Sequence, residues 1–256
     1  MKSDLFEGGN IFKDEAGTVL TKRINRADVM PTIEWLETVT GLELTDHLLG
    51  TTGKKETSGD LDIAIDANEV DKNEFATKLA EYIKKQGGDP KQWIKKSGIS
   101  VHFKTPIKGD EKLGFVQADF MFGERDWMKW SMTGGREGSQ LKGAHRHMIL
   151  SSIAKAKGMK WSFQNGLMNR ETNEVITRDP NEIAKALLGQ TATAKDLQDP
   201  EAIIDFVIKL PNYEELVGDA RESLAKDGVE LPKAGTVESY TPGTNAWFRR
   251  MIEVVK

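Results

Sequence analysis

Alternating apolar and polar residues predict three strands in the first half of the chain. The run Leu61-Asp62-Ile63-Ala64-Ile65 is typical of a strand over residues 60–66. ISVHFKTPI and LGFVQADFMF predict two more strands, at 99–107 and 113–122, and KGDEK between them is typical of a hairpin turn. The sequence therefore predicts a sheet in which at least two neighbouring strands are antiparallel.

Helical spacing of apolar residues predicts two helices around these strands. One covers residues 28–40, with Asp28 as its expected N-cap and Gly41 at its end. The other covers 71–86 and stops at a Gly-Gly pair. In the second half, the sequence predicts a helix over residues 140–157 and a short hairpin over 162–176, with its turn at Asn169 to Asn173. Mostly helices are predicted over 179–255. This order predicts the α/β (α+β) class, with a boundary near residue 134 between a mixed half and a helix-rich half.

Composition narrows the possible chemistry. The 256 residues contain no cysteine, which excludes disulfides, thiolate metal sites and cysteine nucleophiles. The net charge of −4 gives no overall attraction to nucleic acid, so a polyanion would need a local basic patch. No apolar run approaches the length of a membrane span, and the first residues lack the apolar block of a secretory signal. We expect a cytoplasmic protein without a membrane partner, whose oligomeric state the sequence leaves open.

Three aspartates form the strongest candidate site. Asp60 and Asp62 are two residues apart on a strand, so both side chains leave the same face, roughly 6–7 Å apart. Asp119 lies on a later strand among bulky apolar residues, where a carboxylate is costly unless something compensates it. Like charges this close repel, and a divalent cation removes the conflict. Oxygen-only ligands suit Mg²⁺, and three carboxylates can hold two such ions for phosphoryl or nucleotidyl transfer.

A turn rich in glycine and threonine precedes the acidic strand. Gly50-Thr51-Thr52-Gly53 offers backbone N–H groups to phosphate oxygens, and Lys54 is a nearby cation. The turn is not a Walker A loop, because Leu48 stands where the first glycine is required. The acidic strand is not an EF-hand loop either, because Ala64 cannot bind a cation through its side chain.

The stretch LLGTTGKKETSGDLDIAI resembles the signature of the DNA polymerase β-like nucleotidyltransferase superfamily, and its form is nearest to the family X DNA polymerases. MTGG at 132–135 resembles the YFTGS turn of that family, although Ser131 and Met132 replace its aromatic pair. The segment KGMKWSFQNGLMNRETNEVITRDPNEIAKALLG is similar to the end of its nucleotide-selecting subdomain. The resemblance implies a polymerase β-like palm with a mixed sheet, a smaller subdomain and a helical C-terminal extension, over residues 1–133, 134–190 and 191–256.

The resemblance also implies roles for individual residues. Asp60 and Asp62 would bind two Mg²⁺ ions, with Mn²⁺ as a substitute, while Asp119 would bind only the catalytic ion and help to activate the attacking hydroxyl. The residues expected to bind the nucleotide are Gly50, Thr51, Lys54, Thr133 and Gly134.

These expectations lead to three hypotheses about function. The favoured one is transfer of a nucleoside monophosphate from an NTP or dNTP to the 3′ end of a nucleic acid, by a compact polymerase X-like enzyme or terminal transferase. The second keeps this chemistry with an RNA, a protein or a small molecule as acceptor. The third is an inactive module that binds nucleotide or nucleic acid.

The histidines offer little by comparison. His145 and His147 are two residues apart on a predicted helix, about 200° around it, so they cannot share one ion and are expected on its polar face. His102 lies on a strand beside the site, where it could contact substrate or serve the structure.

Overall fold

The structure is a computed structural model that describes residues 10–50, 52–136, 139 and 141–234. It combines helices with antiparallel and parallel strand pairs, which confirms the α+β class. The chain divides into two compact units, Met1–Thr133 and Gly134–Lys256, between the same two residues as the first predicted segment boundary.

The strands of the first unit are β1 (Ile24–Asn25), β2 (Thr57–Ser58), β3 (Asp60–Asp66), β4 (Ile94–Ser97), β5 (Ser100–Pro106) and β6 (Phe115–Gly123). The last four form a sheet with the order β3-β6-β5-β4. Strands β3 and β6 are parallel neighbours, whereas β6 with β5 and β5 with β4 are antiparallel. A two-stranded ribbon of β1 and β2 precedes it.

The described residues of this unit, 10–50 and 52–133, contain four α-helices: α1 (Arg26–Thr40), α2 (Lys72–Lys85), α3 (Pro90–Trp93) and α4 (Arg125–Ser131). The prediction that Asp28 caps α1 is wrong. The cap position is Asn25, because β1 runs straight into the helix, and Asp28 lies in the first turn. There its Oδ1 pairs with Nζ of Lys108 at 2.5 Å. The helix ends at Gly41, whose φ of 72° is a left-handed conformation that glycine adopts readily.

One face of the sheet is covered by α1 and α2 and forms the core of the unit. Ile33 of α1 and Phe75 of α2 lie in the same cluster of buried residues as Leu61 and Ile63 of β3. From β6, Phe120 packs edge-on against Phe75, with ring centroids 4.8 Å apart. Because side chains alternate along a strand, this packing turns the odd-numbered residues of β6 and the even-numbered residues of β3 towards the opposite face.

As far as the structure describes the second unit, to residue 234, it contains α5 (Gly143–Ala156), a three-stranded antiparallel sheet and three further α-helices. The sheet replaces the predicted hairpin, and its second turn covers Asn169 to Asn173 as expected. The remaining elements are β7 (Met159–Ser162), β8 (Gly166–Asn169), β9 (Val175–Thr177), α6 (Pro180–Leu188), α7 (Pro200–Val207) and α8 (Tyr213–Lys226). The Ser152 hydroxyl on α5 donates to the carbonyl of Leu216 on α8 at 2.8 Å, so helices on both sides of residue 190 pack together. The helical pattern after residue 234 lies outside the described residues.

The prediction that two histidines of α5 lie on its polar face is wrong. His145 is buried, and its Nδ1 accepts a hydrogen bond from the backbone N–H of Lys142 at 3.1 Å. His147 is half-buried, and its Nδ1 accepts from Nε1 of Trp161 at 3.0 Å. The helix is covered on more sides than an amphipathic pattern implies, because α8 and the β7 strand pack on it.

Candidate metal centre

The parallel pairing of β3 with β6 brings three aspartates together. Asp62 lies directly beside Asp119 in the register of the two strands, and Asp60 lies beside Gln117. One carboxylate oxygen from each of Asp60, Asp62 and Asp119 lies within 4.8 Å of the others. Among the described residues, this is the one group of three or more acidic or histidine side chains close enough to hold a metal ion. We call it the acidic triad.

Burial and mutual repulsion make the triad a poor place for three negative charges. Burial, and then the charge of Asp119, raise the pKa of Asp60 to about 6, although Arg23 opposes the rise. Burial raises the pKa of Asp62 well above its ordinary value, and the charges of Asp60 and Asp119 add to the effect. A bound cation would relieve this repulsion, because it favours the ionised form of each carboxyl group.

Two polar side chains hold the carboxylate of Asp119. Nδ1 of His102 lies 2.7 Å from Oδ1, and Nε2 of Gln117 donates to Oδ2 at 3.1 Å. The other ring nitrogen of His102 lies 2.7 Å from the Ser97 hydroxyl. In the tautomer whose Nδ1–H donates to Asp119, Nε2 accepts the Ser97 O–H. These contacts explain how a carboxylate with 8% exposure is tolerated among apolar neighbours.

The pairing of His102 with Asp119 could not be derived from the sequence alone. The two residues are direct partners on the antiparallel strands β5 and β6. Counting outwards from Asp110, the centre of the KGDEK turn, places His102 opposite Ala118, whereas the observed register pairs it with Asp119, one residue further along the chain. Because a shift of one residue moves a paired side chain to the other face of the sheet, the sequence located both strands but did not determine this contact.

The glycine turn before β3 is attached to that strand on both sides of Asp62. The N–H of Leu49 donates to the carbonyl of Asp62 at 2.8 Å, and the N–H of Asp62 donates to the Thr52 hydroxyl at 3.2 Å. Gly50 has a φ of 58°, and a Cβ there would lie 3.8 Å from Oδ2 of Asp62 and 3.9 Å from the carbonyl oxygen of Met132. Gly50 is therefore a direct neighbour of the triad.

The structure gives hydrogen bonds for two of the other residues that were predicted to bind nucleotide. Nζ of Lys54 donates to the carbonyl of Gly50 at 3.0 Å and is exposed, so the cation sits on the turn itself. The Thr133 hydroxyl donates to the carbonyl of Lys129 at 3.0 Å, at the end of α4. Gly134 is the first residue of the second unit, and Thr51 lies outside the described residues.

The donor set of the triad fits a hard divalent cation. All three side chains supply oxygen, the ligand type that Mg²⁺ and Mn²⁺ prefer. An octahedral ion with bonds of about 2.1 Å separates its ligand oxygens by roughly 3–4 Å. The limit of 4.8 Å between the triad oxygens is near this range, so small side-chain rotations would satisfy such an ion.

Comparison with known proteins adds no independent assignment. The sequence matches no protein-family model and no curated protein. Within the part of the chain that the structure describes, no helix has the length and apolar character needed to cross a membrane. Function must therefore be inferred from the chemistry of the triad and its surroundings.

Proposed function

We propose that this chain is a Mg²⁺-dependent nucleotidyltransferase with a polymerase β-like palm. It transfers a nucleoside monophosphate from an NTP or dNTP to a hydroxyl, with the 3′ end of a nucleic acid as the favoured acceptor, and releases pyrophosphate. The observation that carries the proposal is the convergence of Asp60, Asp62 and Asp119 from two parallel strands to within 4.8 Å.

The position of the glycine turn supports the proposal. A phosphate-binding turn is useful only if it lies beside the metal ligands, because the cations bridge the protein and the triphosphate. A Cβ added to Gly50 would lie 3.8 Å from Oδ2 of Asp62, so the turn is a direct neighbour of this carboxylate. Lys54 adds a positive charge to the same turn. Backbone N–H groups in a turn of this kind attract anions.

The chain's own residues would contribute alignment and electrostatics. Asp60 and Asp62 would hold both metal ions and Asp119 the catalytic one, and these ions, when bound, supply the positive charge that stabilises the phosphoryl group during transfer. The acceptor oxygen forms a bond to the α-phosphorus, and the bond from that phosphorus to the bridging oxygen breaks. Pyrophosphate leaves with the bonding electrons. The hydroxyl proton passes to a carboxylate, for which Asp119 is the candidate because His102 and Gln117 fix its orientation.

Labelled nucleotides test this function directly. The purified chain is incubated with Mg²⁺, with each α-labelled NTP or dNTP and with a panel of DNA primer, RNA, protein and aminoglycoside acceptors. We expect labelled product and pyrophosphate in equal amounts. Asp62→Asn should lower the rate at least about 100-fold, because a metal ligand supplies several kcal/mol of stabilisation. Asp66→Asn, on the same strand and outside the triad, is the matched control.

Each result has a defined meaning. Label on the DNA primer supports the favoured acceptor, whereas label confined to RNA, protein or the small molecule supports the second hypothesis. Metal-dependent nucleotide binding without any transfer supports the inactive binding module. Turnover by Asp62→Asn at the rate of Asp66→Asn would show that the triad is not the catalytic centre.

A further inference from the structure

A cavity lies beside the acidic triad. The segment of residues 10–23 lies beside the first residue of β6, because the N–H of Lys22 donates to the carbonyl of Phe115 at 2.8 Å. This segment, Gly59 and the first residues of β3 and β6 line this open cavity, whose volume is about 310 Å³. Its polar wall is formed by Asn10, Thr21, Lys22, Arg23, Asp60 and Gln117. The cavity thus shares one metal-ligand candidate, and one side chain that holds Asp119, with the triad.

The cavity and the glycine turn approach the triad from different sides. The glycine turn lies along the free edge of β3, where Leu48 forms a bridge with Ile63 and Gly50 lies next to Asp62. The cavity lies at the starting end of the same strand, next to Gly59 and Asp60. A triphosphate on the glycine turn would therefore leave the cavity free for a second substrate.

The charge of the cavity wall suits an anion. Arg23 is held in place because Nε donates to the Thr57 hydroxyl and Nη2 to the Thr57 carbonyl, both at 3.0 Å. Its third nitrogen, Nη1, lies 3.2 Å from the Cβ position of Gly59, another residue of the wall. Lys22 adds a second positive charge. A fixed guanidinium beside a lysine is well suited to bind a phosphate group.

Asn10 supplies an unused hydrogen-bond acceptor in the same wall. Its Nδ2 donates to the Thr21 hydroxyl, but its Oδ1 is buried and finds no donor in the described structure. Buried polar atoms without a partner are uncommon in folded proteins and call for an explanation. A ligand that carries an O–H or N–H group would satisfy this atom.

We propose that this cavity is the acceptor site of the transferase, and that its ligand is a phosphate ester carrying a free hydroxyl. Lys22 and Arg23 bind the phosphate, and the hydroxyl points towards Asp60 and the triad. The inference rests on the proposed function. The volume is at the lower end for small-molecule sites, so the cavity takes one nucleotide-sized group. A terminal nucleotide of a nucleic acid and a free sugar phosphate share this chemistry.

Binding of small probes separates the cavity from the catalytic step. Calorimetry without NTP compares 5′-AMP, ribose 5-phosphate, adenosine and a short oligoadenylate on the full chain. The test variant is Lys22→Gln with Arg23→Gln, and the control with equal charge is Lys13→Gln with Lys78→Gln, two exposed lysines outside the cavity. We expect 5′-AMP to bind the wild type at least about tenfold more tightly than adenosine does. This preference should disappear in the test variant and remain in the control.

The single variant Lys22→Gln controls for misfolding, because this exposed side chain makes no hydrogen bond to the described residues. We expect this variant to lose part of the preference for 5′-AMP over adenosine. Tight binding of 5′-AMP and the oligoadenylate supports a nucleic-acid end, whereas tight binding of ribose 5-phosphate without the oligoadenylate supports a sugar phosphate. Equal binding of 5′-AMP and adenosine, or equal losses in test and control variants, would overturn the proposal.

Transfer kinetics distinguish this failure from failure of the proposed function. If Mg²⁺-dependent transfer occurs and the test variant keeps the KM of the acceptor, the cavity assignment is wrong and the function stands. If transfer is absent with every acceptor, the proposed transferase function is wrong, and the cavity is then not an acceptor site either. A KM for the acceptor that rises at least about tenfold in the test variant, with the KM for NTP unchanged, supports both.

Discussion

Replacement of Asp60 by asparagine should stabilise the metal-free protein while it abolishes activity. The rise of its pKa from 3.8 to about 6 corresponds to about 3 kcal/mol of destabilisation at neutral pH. Burial is the largest cause of this rise, and repulsion by Asp119 adds to it. Asparagine removes the charge at similar size. Because a buried amide keeps part of the desolvation cost, we expect a gain of about 1–3 kcal/mol.

The sign of the pH dependence follows from the raised pKa. Between about pH 4 and pH 6 the folded protein retains a proton on Asp60 that the unfolded chain releases. The metal-free wild type should therefore lose stability as the pH rises through this window. The variant should lose less, and Asp62, whose pKa burial also raises, accounts for the loss that remains. Saturating Mg²⁺ should restore stability to the wild type at pH 7.5 by mass action and have little effect on the variant.

Urea denaturation in EDTA at pH 5 and pH 7.5, repeated with Mg²⁺, measures these effects. Asp66→Asn is the control because it lies on β3 outside the triad, and it should keep the wild-type pH dependence and the Mg²⁺ response. The reasoning is refuted if Asp60→Asn is no more stable than Asp66→Asn at pH 7.5 in EDTA. It is also refuted if Mg²⁺ stabilises both variants equally.

Three further predictions concern individual side chains. Gly50→Ala forces a Cβ into a left-handed conformation, at a cost of about 1 kcal/mol, and should raise the KM for NTP several-fold in steady-state kinetics. His102→Phe removes the donor to Asp119, and should weaken Mn²⁺ binding about 10–100-fold by electron paramagnetic resonance and lower kcat with the KM for NTP unchanged. Burial lowers the pKa of His147 to about 3, so acidification below pH 6.5 should destabilise the second unit, by up to about 3 kcal/mol at pH 4 in urea titrations followed by circular dichroism.

Matched variants control these tests. Gly87→Ala has the same left-handed strain with open space around it, so an equal change in the KM for NTP would contradict a local role of Gly50. Ser97→Ala removes only the outer hydrogen bond of His102 and should have a smaller effect than His102→Phe. His147→Gln removes the titrating group, and an unchanged acid dependence would exclude this histidine as its source.

The local elements around the site could be predicted from the sequence. The period of two places Asp60 and Asp62 on one face of β3, and helical spacing locates α1 and α2 to within a few residues. The hairpin of β5 and β6 follows from its turn. These features depend on side-chain direction and turn residues within a few positions of each other, so no distant part of the chain is needed to specify them. The short elements β4 and α4 were missed because they carry too few residues for a period to emerge.

The tertiary structure alone decided which strands are neighbours. The hairpin could have placed either of its strands beside β3, and only the parallel pairing with β6 puts Asp119 directly next to Asp62. The partner of Asp119 on β5, and the cavity under residues 10–23, depend on the same assembly. The strand order of lowest free energy buries both apolar faces and closes the connecting loops with the smallest loss of entropy. This free energy depends on contacts throughout the unit. The sequence by itself thus determined which residues are acidic and which face of each strand they lie on. Only the packing of β3 beside β6 determined that the three carboxylates lie close together.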